Sequence, residues 1–161
     1  MPVPLQVKSP HPTLSTWLHA TGSLTQQLTQ LGQGQFSVQP IAEHCQRISL
    51  KDSQWMGVSP RHCAWVREAF LYGSEKEAWV KAKSIFPIKT IQGKARIFRF
   101  LGKRPIGFFL FQRTSPECQR RVMYLDEGWT RQSCYTWHGC KFIVQETFLP
   151  AFENFLQKQT H

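Results

Sequence analysis

The stretch RQSCYTWHGCKFIVQETFL, residues 131–149, carries the pattern that decides the fold. RQSCYTW (131–137) and CKFIVQETFL (140–149) are β-branched and aromatic runs, and His138-Gly139 between them suits a tight hairpin turn. Side chains alternate across a strand, so Phe142, Val144, Glu146 and Phe148 share one face. Lys141, Ile143, Gln145 and Thr147 share the other. The carboxylate of Glu146 is thereby set on the more apolar face, where an unpaired charge is costly or neutralises itself.

Working outward, AWVREAFLY (64–72) and AWVKAKSIF (78–86) form a second hairpin pattern across GSEKE, and Pro87 ends it. Arg67 shares its strand face with Trp65, Ala69 and Leu71. Two strands therefore each point one charge, of opposite sign, toward an apolar surface. Two readings stay open. Arg67 and Glu146 are a buried ion pair, or lie on strands covered on both faces. Alternatively they line a polar ligand site, with Arg67 as a planar fork for a carboxylate. Glu146 would then bind a ligand hydroxyl or act as a general acid or base.

FSVQPIAEHCQRIS (36–49) and RRVMYL (120–125) add two strands, and Pro40 marks the first as an edge strand or a bulge. Helices are expected at Thr13–Ala20 and after Ser23, an N-cap followed by Leu24, Leu28 and Leu31 and stopped by Gly32. Ala95–Leu101 should be helical with Ile97, Phe98 and Leu101 on one side. Pro105 opens a further turn or helix through GFFLF, and AFENFLQ closes the chain as a helix. Hairpins with a few helices give an α+β class, a twisted antiparallel β-sheet with flanking helices.

The 161 residues suit one domain spanning 1–161, with proline-rich residues 1–12 as a loose lead-in. A hydrophobic fraction of 41% excludes a disordered chain. No apolar run approaches the ~20 residues of a membrane span, and no apolar signal core opens the sequence. Five cysteines without compact spacing suit reduced thiols, so a cytoplasmic location is expected. The net charge of +10 favours an anionic partner.

Other chemistries find little support. His44-Cys45, His62-Cys63 and His138-Gly139-Cys140 lack the paired spacing of a zinc site, and there is no GxSxG elbow. KARIFRFLGKRPIGFFLFQR (94–113) mixes bases and aromatics as single-strand binders do. It lacks an ordered aromatic platform, and a solvated basic face explains it; no nucleic acid is expected. Within it, GKRPIG offers the N–H groups of Ile106 and Gly107 to an anion behind Pro105, a weak signal by itself.

The succession WVRE, KAKSIFP, LGKRPIGFFLF, GWTRQS and VQETFLP, from Trp65 to Pro150, resembles the chorismate pyruvate-lyase family. A weaker match covers the helix start Ser23-Leu24-Thr25. The resemblance implies a twisted antiparallel sheet enclosing a buried ligand site, and conversion of chorismate to 4-hydroxybenzoate and pyruvate at the start of ubiquinone synthesis. It implies no metal or organic cofactor. Its product-binding arginine falls on Arg67 and its glutamate on Glu146, and two backbone positions in flaps over the site fall on Leu24 and Ile106. Two departures stand out: Arg131-Gln132 where the family often has two arginines, and Lys83 where it has an arginine. Lys83 is a candidate for added positive potential near the site. A soluble monomer without stable membrane insertion is expected. The alternative is a non-catalytic effector-binding domain of the same fold, as in some bacterial transcription regulators.

Overall fold

The computed structural model describes residues 9–111 and 116–159. The lead-in assigned to residues 1–12 lies outside them as far as residue 8, and helix α1 already begins at Pro12. Six strands form one antiparallel sheet: β1 (Ser37–Arg47), β2 (Cys63–Tyr72), β3 (Val80–Pro87), β4 (Glu117–Leu125), β5 (Gly128–Trp137) and β6 (Cys140–Phe148). Their spatial order is β1-β2-β3-β6-β5-β4. The β5–β6 hairpin turns at His138 (φ 46°) and Gly139 (φ 80°), with Trp137 facing Cys140. Two successive positive φ angles match the strand twist, which is why a glycine follows the histidine. At the sheet edge, β1 shifts register between Pro40 and Ala42, so proline marks both an edge and a bulge.

Helices α1 (Pro12–His19), α2 (Leu24–Leu31) and α6 (Pro150–Gln159) pack their leucines and phenylalanines on one sheet face. Leu18, Leu28, Trp79, Phe148 and Phe152 are fully enclosed there. Trp79 lies directly over Gly73, where any Cβ would collide with the indole ring. The same face carries a second core nearer the other end of the strands, beneath α4 (Ile88–Gln92), a 3₁₀ helix (Arg96–Phe100) and α5 (Gly107–Leu110). Phe86 stacks on both Phe142 and Phe98 at centroid distances of 4.6 and 5.4 Å, and those two rings also meet at 5.3 Å. On the opposite face α3 (Leu50–Met56) covers Ala64, Val66, Ile85, Cys134 and Ile143.

The segment expected as a helix over 95–101 differs in kind. Ala95, Phe98 and Leu101 are buried at a spacing of three, the period of a 3₁₀ helix, and Ile97 is turned outward at 42% exposure. Helices α3 and α4 were not expected from the sequence. Ser49 caps α3 through its Oγ, and Gly57 ends it in the left-handed region (φ 69°).

Candidate active site

Strand register places the candidate side chains on one face. Arg67 on β2 is paired with Ser84 on β3, Ala82 on β3 with Glu146 on β6, and Glu146 with Arg131 on β5. Directly paired residues project to the same side, so Arg67, Glu146 and Arg131 all face the helices. Between them the sheet surface is made of Ala69, Ala82 and Ser84, all lining one cavity. Small side chains there leave room that larger ones would fill. The register also puts Lys83 opposite Glu68 and Gln145, on the other face. Lys83 therefore points away from the cavity and adds no side chain to its lining, which leaves only a longer-range effect on the potential there.

Two chain segments roof the cavity. One is the start of α2, where Ser23 Oγ accepts from Gln26 N at 3.3 Å, leaving the first-turn amides, including that of Leu24, without intrahelical partners. The other is Pro105-Ile106-Gly107 at the start of α5. The two approach closely: a Cβ built on Gly107 would sit 3.5 Å from both Ser23 Oγ and Thr25 Oγ1. Leu24, Arg67, Ile106 and Glu146 thus all line one cavity, about 30 Å³ in this closed arrangement.

The two arginines differ in what holds them. Arg131 donates from Nε to Glu146 Oε1 at 3.0 Å and from Nη2 to Oε2 at 3.4 Å. Its Nη1 donates to the carbonyls of Trp17 and Ala20 at the end of α1, at 3.1 and 3.2 Å. Burial alone depresses the Arg131 pKa, but the Glu146 carboxylate and its hydrogen bonds more than reverse this, and the net direction is upward. Arg67 donates from Nη2 to the carbonyls of Gly102 and Arg104, both at 3.0 Å. Its Nε is buried without a partner. Desolvation lowers the Arg67 pKa, opposed by the charge of Glu43, which faces it from β1. Among the described residues, Arg67 forms no ion pair. The buried-pair reading is thus half right: Glu146 is in an ion pair, with Arg131 rather than Arg67 as its partner.

Tyr135 completes the wall, its hydroxyl pKa pushed up to about 12 by burial and then by the nearby Glu146 charge. The charged groups of the lining are two arginines and one glutamate, a net positive lining that suits an anionic, partly apolar ligand. Sequence reasoning missed Arg131 and Tyr135 as site residues. Strand β5 is buried on both faces over most of its length, so alternation gave no sign of which residues point inward. Among the described residues no His, Cys, Asp and Glu side chains cluster to hold a metal ion. No described helix is long and apolar enough to cross a membrane.

In fold, the chain is similar to the effector domain of PhnF from Mycobacterium smegmatis, with a TM-score of 0.58 at 10% identity over 81% of this chain and 90% of that one. A second PhnF structure matches with a TM-score of 0.60, covering 83% of this chain and 66% of that chain. Sequence relatives are closer. A probable chorismate pyruvate-lyase of Acinetobacter baumannii is 67% identical over 158 residues, covering 98% of this chain and 94% of that protein. That of Acinetobacter baylyi is 64% identical over 150 residues, covering 93% and 90%. One from Pseudomonas aeruginosa is 33% identical over 158 residues, covering 91% and 88%. The family model for chorismate lyase matches residues 3–158, and this chain belongs to the chorismate lyase family.

Proposed function

We propose that the chain is a chorismate pyruvate-lyase, converting chorismate to 4-hydroxybenzoate and pyruvate. The observation that carries the reading is Arg67, a buried guanidinium with neutral hydrogen-bond partners and an unpaired Nε in a cavity whose other charges are already matched. A carboxylate there gains charge-assisted hydrogen bonds and relieves the uncompensated cation. The Leu24 and Ile106 amides, in the two roof segments, assist in holding it. Glu146 takes the ring hydroxyl at the other end.

The reaction breaks the bond between ring carbon and enolpyruvyl oxygen, and removes the hydrogen from the neighbouring carbon that bears the hydroxyl. The ring becomes aromatic. Because aromatisation drives the step, the protein's part is to hold a reactive geometry and exclude water. Both Glu146 oxygens accept from Arg131, which favours a role as acceptor for the hydroxyl proton over a role as acid. The hydrogen then moves to the enolpyruvyl methylene within the substrate. Ring acids exceed the closed cavity, so the α2 and α5 starts part for entry and exit, and release of the enclosed product is slow. The enzyme works as a cytoplasmic monomer at the first committed step of ubiquinone synthesis.

The test is to incubate the purified protein with chorismate and quantify both products. Equal amounts of 4-hydroxybenzoate and pyruvate, lost in Arg67→Ala, support the lyase. Tight 4-hydroxybenzoate binding without turnover would make the chain an effector-binding domain instead.

A further inference from the structure

We propose that the outer side of the 89–108 segment is a docking surface for an anionic lipid bilayer. The sequence has no Asp or Glu between Glu77 and Glu117, while Lys89, Lys94, Arg96, Arg99 and Lys103 are all exposed in this segment. None of these five forms an ion pair among the described residues. A solvated basic face explains such charges alone, but it does not explain what stands among them. Phe100 is 67% exposed, Phe108 45% and Ile97 42%.

The 3₁₀ helix makes this arrangement. Its three-residue period sends Ala95, Phe98 and Leu101 into the core and leaves Arg96, Ile97, Arg99 and Phe100 outside. Arg104 ties the neighbouring turn to it, donating to the Phe100 and Leu101 carbonyls and lying 4.9 Å over the Phe108 ring. The outcome is exposed apolar side chains interspersed along the segment with exposed cations. That composition suits the boundary between headgroups and acyl chains, where apolar side chains enter and lysines and arginines stay with the phosphates. Single-stranded nucleic acid would use the phenylalanines for stacking but has no comparable use for Ile97. Nothing in this surface calls for insertion across the bilayer. Pro105, Ile106 and Gly107 of the same segment line the cavity, and the Gly102 and Arg104 carbonyls hold Arg67, so docking brings one of the two roof segments to the membrane surface.

The experiment is co-sedimentation of the full chain with sucrose-loaded vesicles, either pure phosphatidylcholine or containing phosphatidylglycerol. The expected result is binding to the anionic vesicles alone, weakened at least tenfold both in Ile97→Ser/Phe100→Ser and in Arg96→Gln/Arg99→Gln. Each variant should keep the wild-type melting temperature, since these side chains are outside the core. No binding to anionic vesicles overturns the proposal. So does binding that the serine variant retains in full, which marks unspecific charge attraction. Preferential capture by single-stranded oligonucleotide over anionic vesicles, with the same dependence on Phe100, would assign the surface to nucleic acid instead. The assay involves no chorismate, so its outcome is independent of the proposed reaction.

Discussion

Arg131 and Glu146 form a two-pronged ion pair across neighbouring strands β5 and β6, with Arg131 only 1% exposed. The pairing matches the one carboxylate of the cavity lining with Arg131. It leaves Arg67 with two backbone carbonyls, an arrangement that favours an incoming anion.

Function and stability should therefore oppose each other at Arg67. A buried cation without an ionic partner costs desolvation energy that an apolar side chain does not. Arg67→Met is expected to melt at or above the wild-type temperature, because exposed Gly102 and Arg104 can turn to water. The same variant should lose about 2–5 kcal/mol of 4-hydroxybenzoate affinity, roughly 30- to 5000-fold. Calorimetric titration alongside thermal melts checks both halves.

At Arg131 the opposite holds. Arg131→Met strands the Glu146 carboxylate and removes one of the donors to each of the Trp17 and Ala20 carbonyls, and should destabilise by about 3–5 kcal/mol. In a domain of this size that is a fall of roughly 6–20 °C in Tm. Adding Glu146→Met should restore much of the loss. A double variant as unstable as the single would show that the pair is not what the arginine contributes.

Chorismate carrying deuterium on the hydroxyl-bearing ring carbon distinguishes the routes for the transferred hydrogen. Movement within the substrate predicts pyruvate with one deuterium in its methyl group, read by mass spectrometry immediately after turnover. Loss of that deuterium to water would instead require a protein base, with Glu146 the first candidate.

Tyr135 gives a pH signature. Its phenol should resist ionisation until about pH 12, read from ultraviolet absorbance during alkaline titration and assigned by its loss in Tyr135→Phe. Its folded pKa is above the ordinary value near 10, so the folded state holds its proton when the unfolded chain has lost it. The associated stability is full below about pH 10 and falls as pH rises toward about 12. Tyr135→Phe should flatten that part of the stability curve.

Gly73→Ala tests the packing of the first core. The added methyl meets the fully buried Trp79 ring, which also donates to Glu75 Oε1 at 3.0 Å. Displacing it should cost about 1–3 kcal/mol in a chemical denaturation curve.

The hairpins and the inward direction of Arg67 and Glu146 were legible because each charge stands among apolar residues of known strand phase. The edge position of β1 was legible from Pro40 alone. Lys83 lacked such a reference, since its same-parity neighbours include both Lys81 and Ile85, and its direction emerged only from pairing with Gln145. Arg131 was noticed for its identity, but a strand buried on both faces conceals which side chains meet. The short helices α3 and α4 had too few turns to show a period, although Ser49 and Gly57 bracket α3 with recognisable caps. Ile97 was assigned inward because a 3.6-residue period was assumed where the chain follows three.

The most direct test is a crystal structure with 4-hydroxybenzoate. The account predicts the product under the α2 and α5 roof, its carboxylate on Arg67 and its hydroxyl on Glu146. A product bound in the reverse orientation, or outside this cavity, would contradict it.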